Sequence, residues 1–231
     1  MKNHLILLIL SVFLFTNCGD APKEASSTTP APNSKEQISA PNPIEKKVEK
    51  KRLVFFGNSL TAGYGLDPDQ GFTSLIQKRI DSLSLNYEVI NAGLSGETTA
   101  GGDSRIDWIL KQPIDIFVLE LGGNDGLRGI APESSFKNLQ SIINKVKAKN
   151  PATKIILAGM EAPPNMGEAF TSEFRAMYPK LSKSNDTYLI PFLLENVGGI
   201  PELNQPDGIH PTAKGNLIIT ETIWKVLKDV L

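Results

Sequence analysis

Cysteine and histidine are nearly missing from this chain of 231 residues, which has one Cys, Cys18, and two His, His4 and His210. A lone thiol can form no disulfide within the chain. Two imidazoles, one of them within the first few residues, exclude a metal cluster built on several His ligands. An excess of charge of one sign is missing too: 24 Lys and Arg stand against 25 Asp and Glu, a net charge of −1. Nothing in that balance would track phosphates, so no nucleic-acid partner is expected. Neither G-x-x-x-x-G-K-[ST] nor G-x-G-x-x-G occurs, which argues against nucleotide binding at the Gly-rich loops. The apolar run "LILLILSVFLF", Leu5 to Phe15, is too short to span a bilayer.

That run follows Lys2 and is followed by Cys18, the pattern of a signal-peptide core. Residues 1–17 are therefore read as a signal peptide and Cys18 as the lipidated first residue of a bacterial lipoprotein. The segment resembles a lipobox, from which it departs at Phe15 and Asn17. The alternative is an ordinary cleaved signal with an incidental Cys near the cut. Residues 18–51 are rich in Pro, Ser, Thr, Lys and Glu and poor in apolar side chains, so they bury too little surface to fold. Such a linker has a coil span of about 30–35 Å, enough to hold a domain near a membrane. The expected location is the bacterial cell envelope, with the membrane reached through the N-terminal lipid anchor; a periplasmic or secreted protein is the alternative.

From residue 52 to 231, short apolar runs alternate with amphipathic stretches. "RLVFF", "YEVINA", "PIDIFVLEL", "TKIILAG" and "TYLIPF" read as five strands buried on both faces. Phe136, Leu139, Ile143 and Val146 recur at helical spacing, Phe72 to Leu83 forms a second helical pattern, and a last helix runs from about Thr212 to Val230. This alternation predicts one α/β domain, a parallel sheet between two helical layers.

In such sheets ligands bind outside the carboxyl ends of the strands. The loops there read "GNSLTAGYG", "NAGLSGETT" and "GGNDGLRG". Ser59 in the first is a turn residue or a nucleophile, and the local sequence fits both. It does not sit in a G-x-S-x-G elbow, because Thr61 occupies the place of the second Gly. His210 is the one imidazole outside the segment expected to be removed, so any imidazole base is this one. Asp207 precedes it by three residues in "QPDGIHP", close enough across a turn to fix its tautomer, or else both side chains are solvated in a turn before the last helix. Ser59, His210 and Asp207 together supply nucleophile, base and orienter, while backbone N–H groups around Gly96 and the amide of Asn124 offer donors for an oxyanion.

At these residues the chain resembles the SGNH hydrolases, also called GDSL-type esterases. Within them it is similar to the bacterial group known as thioesterase I, protease I, lysophospholipase or arylesterase. The residues behind the family name fall at Ser59, Gly96, Asn124 and His210. "VLELGGNDGLRG" and "MYPKL" also resemble this group, and the likeness covers about Leu53 to the C-terminus. It implies a flavodoxin-like three-layer α/β/α sandwich with a five-stranded parallel sheet. It also implies a Ser59-His210-Asp207 triad and an oxyanion hole of Ser59 N–H, Gly96 N–H and the Asn124 side chain. The substrate would be a small acyl ester or thioester, extending to lysophospholipids, held along the loops after the third and fourth strands, with no metal and no cofactor.

The chain departs from the family at three points. Asn58 replaces the Asp of the usual Gly-Asp-Ser, keeping its size and hydrogen bonding but not its charge. Glu97 replaces a common Asp in the second motif, and "GMEAPPNMGEAF" differs from the group's substrate-facing loop. Two other readings stand beside the esterase. One is a carbohydrate O-deacetylase of the same fold, the other a non-catalytic surface lipoprotein that uses the fold as a binding module.

Overall fold

A computed structural model describes residues 49–231. The signal peptide assigned to residues 1–17, Cys18, and all but the end of the 18–51 linker lie outside the described residues.

Five strands form one parallel sheet in the order β2-β1-β3-β4-β5. They are β1 (Lys51–Gly57), β2 (Tyr87–Gly93), β3 (Ile116–Glu120), β4 (Lys154–Ala158) and β5 (Tyr188–Ile190). The three central strands are continuous apolar runs because both of their faces are covered, and Phe55, Phe56, Phe117, Ile156 and Leu157 form the middle of the core. Burial on both faces does not extend to the edges: only Tyr87 of β2 and Ile190 of β5 are buried. An edge strand has a neighbour on one side only, so less of it is covered. Strand β5 is also shorter than "TYLIPF", since Pro191 has no N–H to continue a ladder.

Three helices stand where periodicity placed them: α2 (Phe72–Ser82), α5 (Pro132–Lys149) and α7 (Ala213–Leu227). Helix α2 packs with α7, and α5 packs between α3 (Thr99–Ile109) and α6 (Glu168–Asn185). Neither α3 nor α6 is apparent from the apolar spacing. Two Gly open α3, which buries only Thr99, Gly102 and Ile106. A Cβ on Gly102 would run into the Leu121 side chain, so this helix trades propensity for a close approach to the sheet. Helix α6 contains Pro179, which lacks a helical N–H and costs about 3 kcal/mol in a helix interior. Burial of Phe174, Met177, Tyr178 and Leu181 along one face offsets it.

The strand order reverses direction at β1, which has β2 on one side and β3 on the other. Gly57, the last residue of β1, pairs in register with Gly93 of β2 and Glu120 of β3. The crevice at such a switch point, outside the carboxyl ends, is where open α/β sheets bind ligands. The loop carrying Ser59 leaves the sheet there.

Candidate active site

Ser59 opens α1 (Ser59–Ala62), a single turn directly after β1. Asn58 caps it, its Oδ1 accepting from Leu60 N at 2.9 Å. The turn closes at Gly63, whose φ of +74° is a conformation that costs Gly nothing. Ser59 is 8% exposed, so its hydroxyl stands at the floor of the crevice.

His210 arrives from the other end of the chain, in the loop before α7. Ser59 Oγ lies 2.8 Å from His210 Nε2, and His210 Nδ1 lies 2.7 Å from Asp207 Oδ2. An ionised Asp207 can only accept, so the proton sits on Nδ1 and Nε2 is left free to accept from the Ser59 hydroxyl. Asp207 Oδ1 takes backbone N–H bonds from Ile209 at 2.9 Å and His210 at 3.0 Å. These donors, the His210 N–H and ring first, hold its carboxyl at about 2, well below the usual aspartate range. The three sequence-predicted residues are therefore joined in one chain of hydrogen bonds.

The predicted oxyanion donors divide. Ser59 and Asn124 line a cavity of about 530 Å³; Gly96 does not line it. Among the described residues, neither Ser59 N–H nor Gly96 N–H donates to another protein group. Asn124 lies in α4 (Gly123–Leu127), the turn that follows β3. Its Nδ2 gives one hydrogen to Glu97 O at 3.0 Å, which fixes the amide and leaves the second hydrogen free. Gly96 has φ of +81°, and its carbonyl accepts from Arg128 at 3.1 Å.

Around the Ser59 turn and the His210 loop, the cavity walls come from the segments that follow β3, β4 and β5. Leu127 follows β3, Met160, Ala162, Pro163 and Pro164 follow β4, and Phe192 and Leu194 follow β5. The resemblance implies substrate along the loops after the third and fourth strands, and the structure adds the loop after β5. The altered "GMEAPPNMGEAF" segment does form a wall, as expected. No cluster of three His, Cys, Asp or Glu able to hold a metal ion occurs among the described residues.

Four supporting residues escaped the sequence reading. Glu120, at the end of β3, is fully buried and accepts from Asn58 N at 3.1 Å, Asn58 Nδ2 at 2.8 Å and Thr61 Oγ1 at 2.8 Å. Burial pushes its carboxyl up to about 7, against the pull of those donors. Its signal was readable: one acid closing an apolar strand in "IFVLE". The Tyr64 ring lies tilted against that of His210, and Gln205 ties the two loops together, donating from Nε2 to Tyr64 O at 2.8 Å and to Pro211 O at 3.1 Å. Arg105 pairs with Glu97, its Nε 2.7 Å from Oε1, and lies over the Phe56 ring. Glu97, a conservative replacement in the sequence, thereby anchors the carbonyl that orients Asn124. No local pattern marks Tyr64, Gln205 or Arg105, because their partners come from other loops or from buried core.

Comparison with known proteins adds an independent line. A family model described as GDSL-like Lipase/Acylhydrolase matches residues 55–218, from β1 into α7. Esterase TesA of Pseudomonas aeruginosa is 38% identical over 189 residues, 81% of this chain and 93% of that one. Thioesterase 1/protease 1/lysophospholipase L1 of Escherichia coli K12 is 37% identical over 180 residues, 78% of this chain and 84% of that one. A crystal structure of TesA superposes with a TM-score of 0.75 at 40% identity, covering 78% of this chain and 100% of that one.

Proposed function

Because the chain belongs to the GDSL-like lipase/acylhydrolase family, the SGNH hydrolases, we propose that it is a serine esterase and thioesterase acting through Ser59, His210 and Asp207. The observation that carries this reading is the path from Asp207 Oδ2 through both ring nitrogens of His210 to Ser59 Oγ, at 2.7 Å and 2.8 Å. His210 takes the Ser59 proton as Oγ attacks the acyl carbonyl, and Asp207 stabilises the imidazolium that forms. The tetrahedral oxyanion is met by Ser59 N–H, Gly96 N–H and the free hydrogen of Asn124 Nδ2. Collapse releases the alcohol or thiol, protonated by His210. Water activated by the same imidazole then cleaves the acyl-enzyme.

The apolar wall of Leu127, Met160, Pro163 and Phe192 supports an acyl chain as the bound group, rather than a sugar. The relatives named esterase, thioesterase and lysophospholipase support carboxylic esters, acyl thioesters and lysophospholipids as the classes to try. The test is a panel of p-nitrophenyl esters from acetyl to palmitoyl, with acyl-CoA, lysophosphatidylcholine and a fluorophosphonate probe. Turnover that grows with acyl length, with labelling lost in Ser59→Ala, is the expected result. Activity confined to acetylated glycans would make the protein an O-deacetylase, and absence of labelling would leave a binding module.

We propose further that the N-terminal segment holds the domain at a membrane. Residues 1–17 serve as signal peptide, Cys18 carries lipid, and the segment to residue 51 tethers the hydrolase domain at a bacterial envelope membrane.

A further inference from the structure

The geometry points to Glu120 and Asn58 as a carboxylate–amide clamp that positions the nucleophile loop, a role that rests on Ser59 being the nucleophile. Glu120 Oε1 accepts from Asn58 Nδ2 at 2.8 Å, and Oε2 accepts from Asn58 N at 3.1 Å and Thr61 Oγ1 at 2.8 Å. At its far end Asn58 Oδ1 accepts from Leu60 N at 2.9 Å. A continuous path of hydrogen bonds thus runs from the end of β3 to the first turn of α1, and Ser59 lies between the two residues it fixes. Glu120, Asn58 and Thr61 are at most 2% exposed, so water cannot replace a lost partner. Gly57 makes the approach possible, since a Cβ there would run into the Thr61 and Glu120 side chains.

A buried carboxylate is costly, and the rest of β3 is apolar, so the strand itself has no need of an acid. The polarity of the partners explains it. Every group facing Glu120 is a donor, and the backbone N–H facing Asn58 Oδ1 is also a donor, so the pair must be one acid and one amide. Two amides would oppose donors at one contact whichever way each is turned. Two acids would oppose oxygens at the 2.8 Å contact unless a proton is held between them. The Gly-Asp-Ser form of the motif would create that second case here, and Asn58 avoids it. Exchanging the two roles, by Asn58→Asp together with Glu120→Gln, would again satisfy every bond.

The other titratable groups around Glu120 have partners of their own. Tyr178 of α6 donates to Leu121 O at 3.0 Å, and burial with the nearby Asp125 and Glu120 charges keeps its phenol neutral. Asp125 of α4 is held by Thr99 N at 2.9 Å, by the Thr99 hydroxyl and by Ser135 Oγ at 3.0 Å. His210 lies beyond Ser59.

The test compares the full chain with Asn58→Asp, Glu120→Gln and the double substitution, reading kcat and KM on a soluble p-nitrophenyl ester, fluorophosphonate labelling and thermal melts. Glu120→Gln should lower kcat by about 10- to 100-fold with KM nearly constant, since a loop displaced by less than an ångström misaims the nucleophile. Asn58→Asp should be active in mild acid and lose about tenfold as pH rises and the shared proton leaves, an alkaline fall absent from the parent. The double substitution should return to within about threefold of the parent at every pH. A folded double variant no better than the weaker single one, a double variant that does not fold, an Asn58→Asp profile that matches the parent, or full kcat in Glu120→Gln would each overturn the clamp. Should the single variants fail to fold, kcat of the double variant decides alone. A parent protein that neither labels nor hydrolyses would overturn the proposed function and the clamp together, whereas an active parent without rescue overturns only the clamp.

Discussion

The ring of Tyr64 lies against that of His210, centroids 4.5 Å apart and planes tilted by 38°. Tyr64 is 53% exposed, so the contact shields one face of the imidazole while the other side of the phenol meets solvent. Together with Asp207 on Nδ1, it leaves the ring few ways to turn. Removing it in Tyr64→Ala frees an interaction of about 0.5–1.5 kcal/mol, which should lower kcat/KM by about two- to tenfold. Tyr64→Phe keeps the ring and should keep the rate. Steady-state kinetics on the two variants checks this, and equal rates in Tyr64→Ala and the parent would remove Tyr64 from the site.

Ser59 Oγ and His210 Nε2 lie 2.8 Å apart, and the proposed mechanism uses them as one unit. Ser59→Ala and His210→Ala should each abolish nearly all esterase activity, with the double variant scarcely worse, because losses within one catalytic unit do not add. More than a few per cent of kcat surviving in a folded His210→Ala would rule out the triad.

Asn124 is oriented by Glu97 O and presents one free amide hydrogen. Loss of a single oxyanion donor costs about 10²–10³ in kcat. Asn124→Ala should show that drop with KM nearly unchanged. A raised KM with kcat intact would make Asn124 a substrate-binding residue instead.

Asp207 carries the site's depressed acid, at about 2. A lowered carboxyl pKa means that its hydrogen bonds to His210 are fully present above the ordinary aspartate value of about 4 and are lost only as pH falls toward 2. Loss of activity in mild acid should therefore not arise from Asp207. Asp207→Asn, which can no longer fix the Nδ1–H tautomer, should lower kcat by about 10³–10⁴ throughout the pH range. A pH–rate profile of parent and variant is the measurement. Recovery of the variant at any pH would contradict the assignment.

Cys18 should be separable from catalysis. Each buried CH₂ of an acyl anchor contributes about 0.8 kcal/mol, so several chains on one residue hold a protein stably at a membrane. Cys18→Ala, or a chain beginning near Lys51, should be soluble and hydrolyse a soluble ester as fast as the detergent-extracted parent. Fractionation with metabolic labelling by a palmitate analogue decides it, and an unlabelled, soluble parent would refute the anchor.

The sequence by itself determined the sheet and narrowed the candidates for the reacting groups. Runs such as "IFVLE" and "KIILA" are apolar because both faces are covered, and that requirement is written into consecutive residues. Scarcity of histidine did the same for an imidazole base, leaving His210 as the one candidate outside the segment read as a signal peptide. Elements stabilised by close approach rather than by pattern stayed hidden, such as α3 with its paired glycines and α6 with Pro179. Which strands would be exposed edges was equally unreadable, since strand order is a property of the assembled sheet. The tertiary structure alone decided the partners: Glu120 with Asn58, Gln205 with Tyr64, Arg105 beneath the loop that aims Asn124. Each is a polar side chain whose complement lies on another segment, most of them far away in sequence. A buried hydrogen bond is defined by the distance and direction of both groups, and only folding brings them within reach.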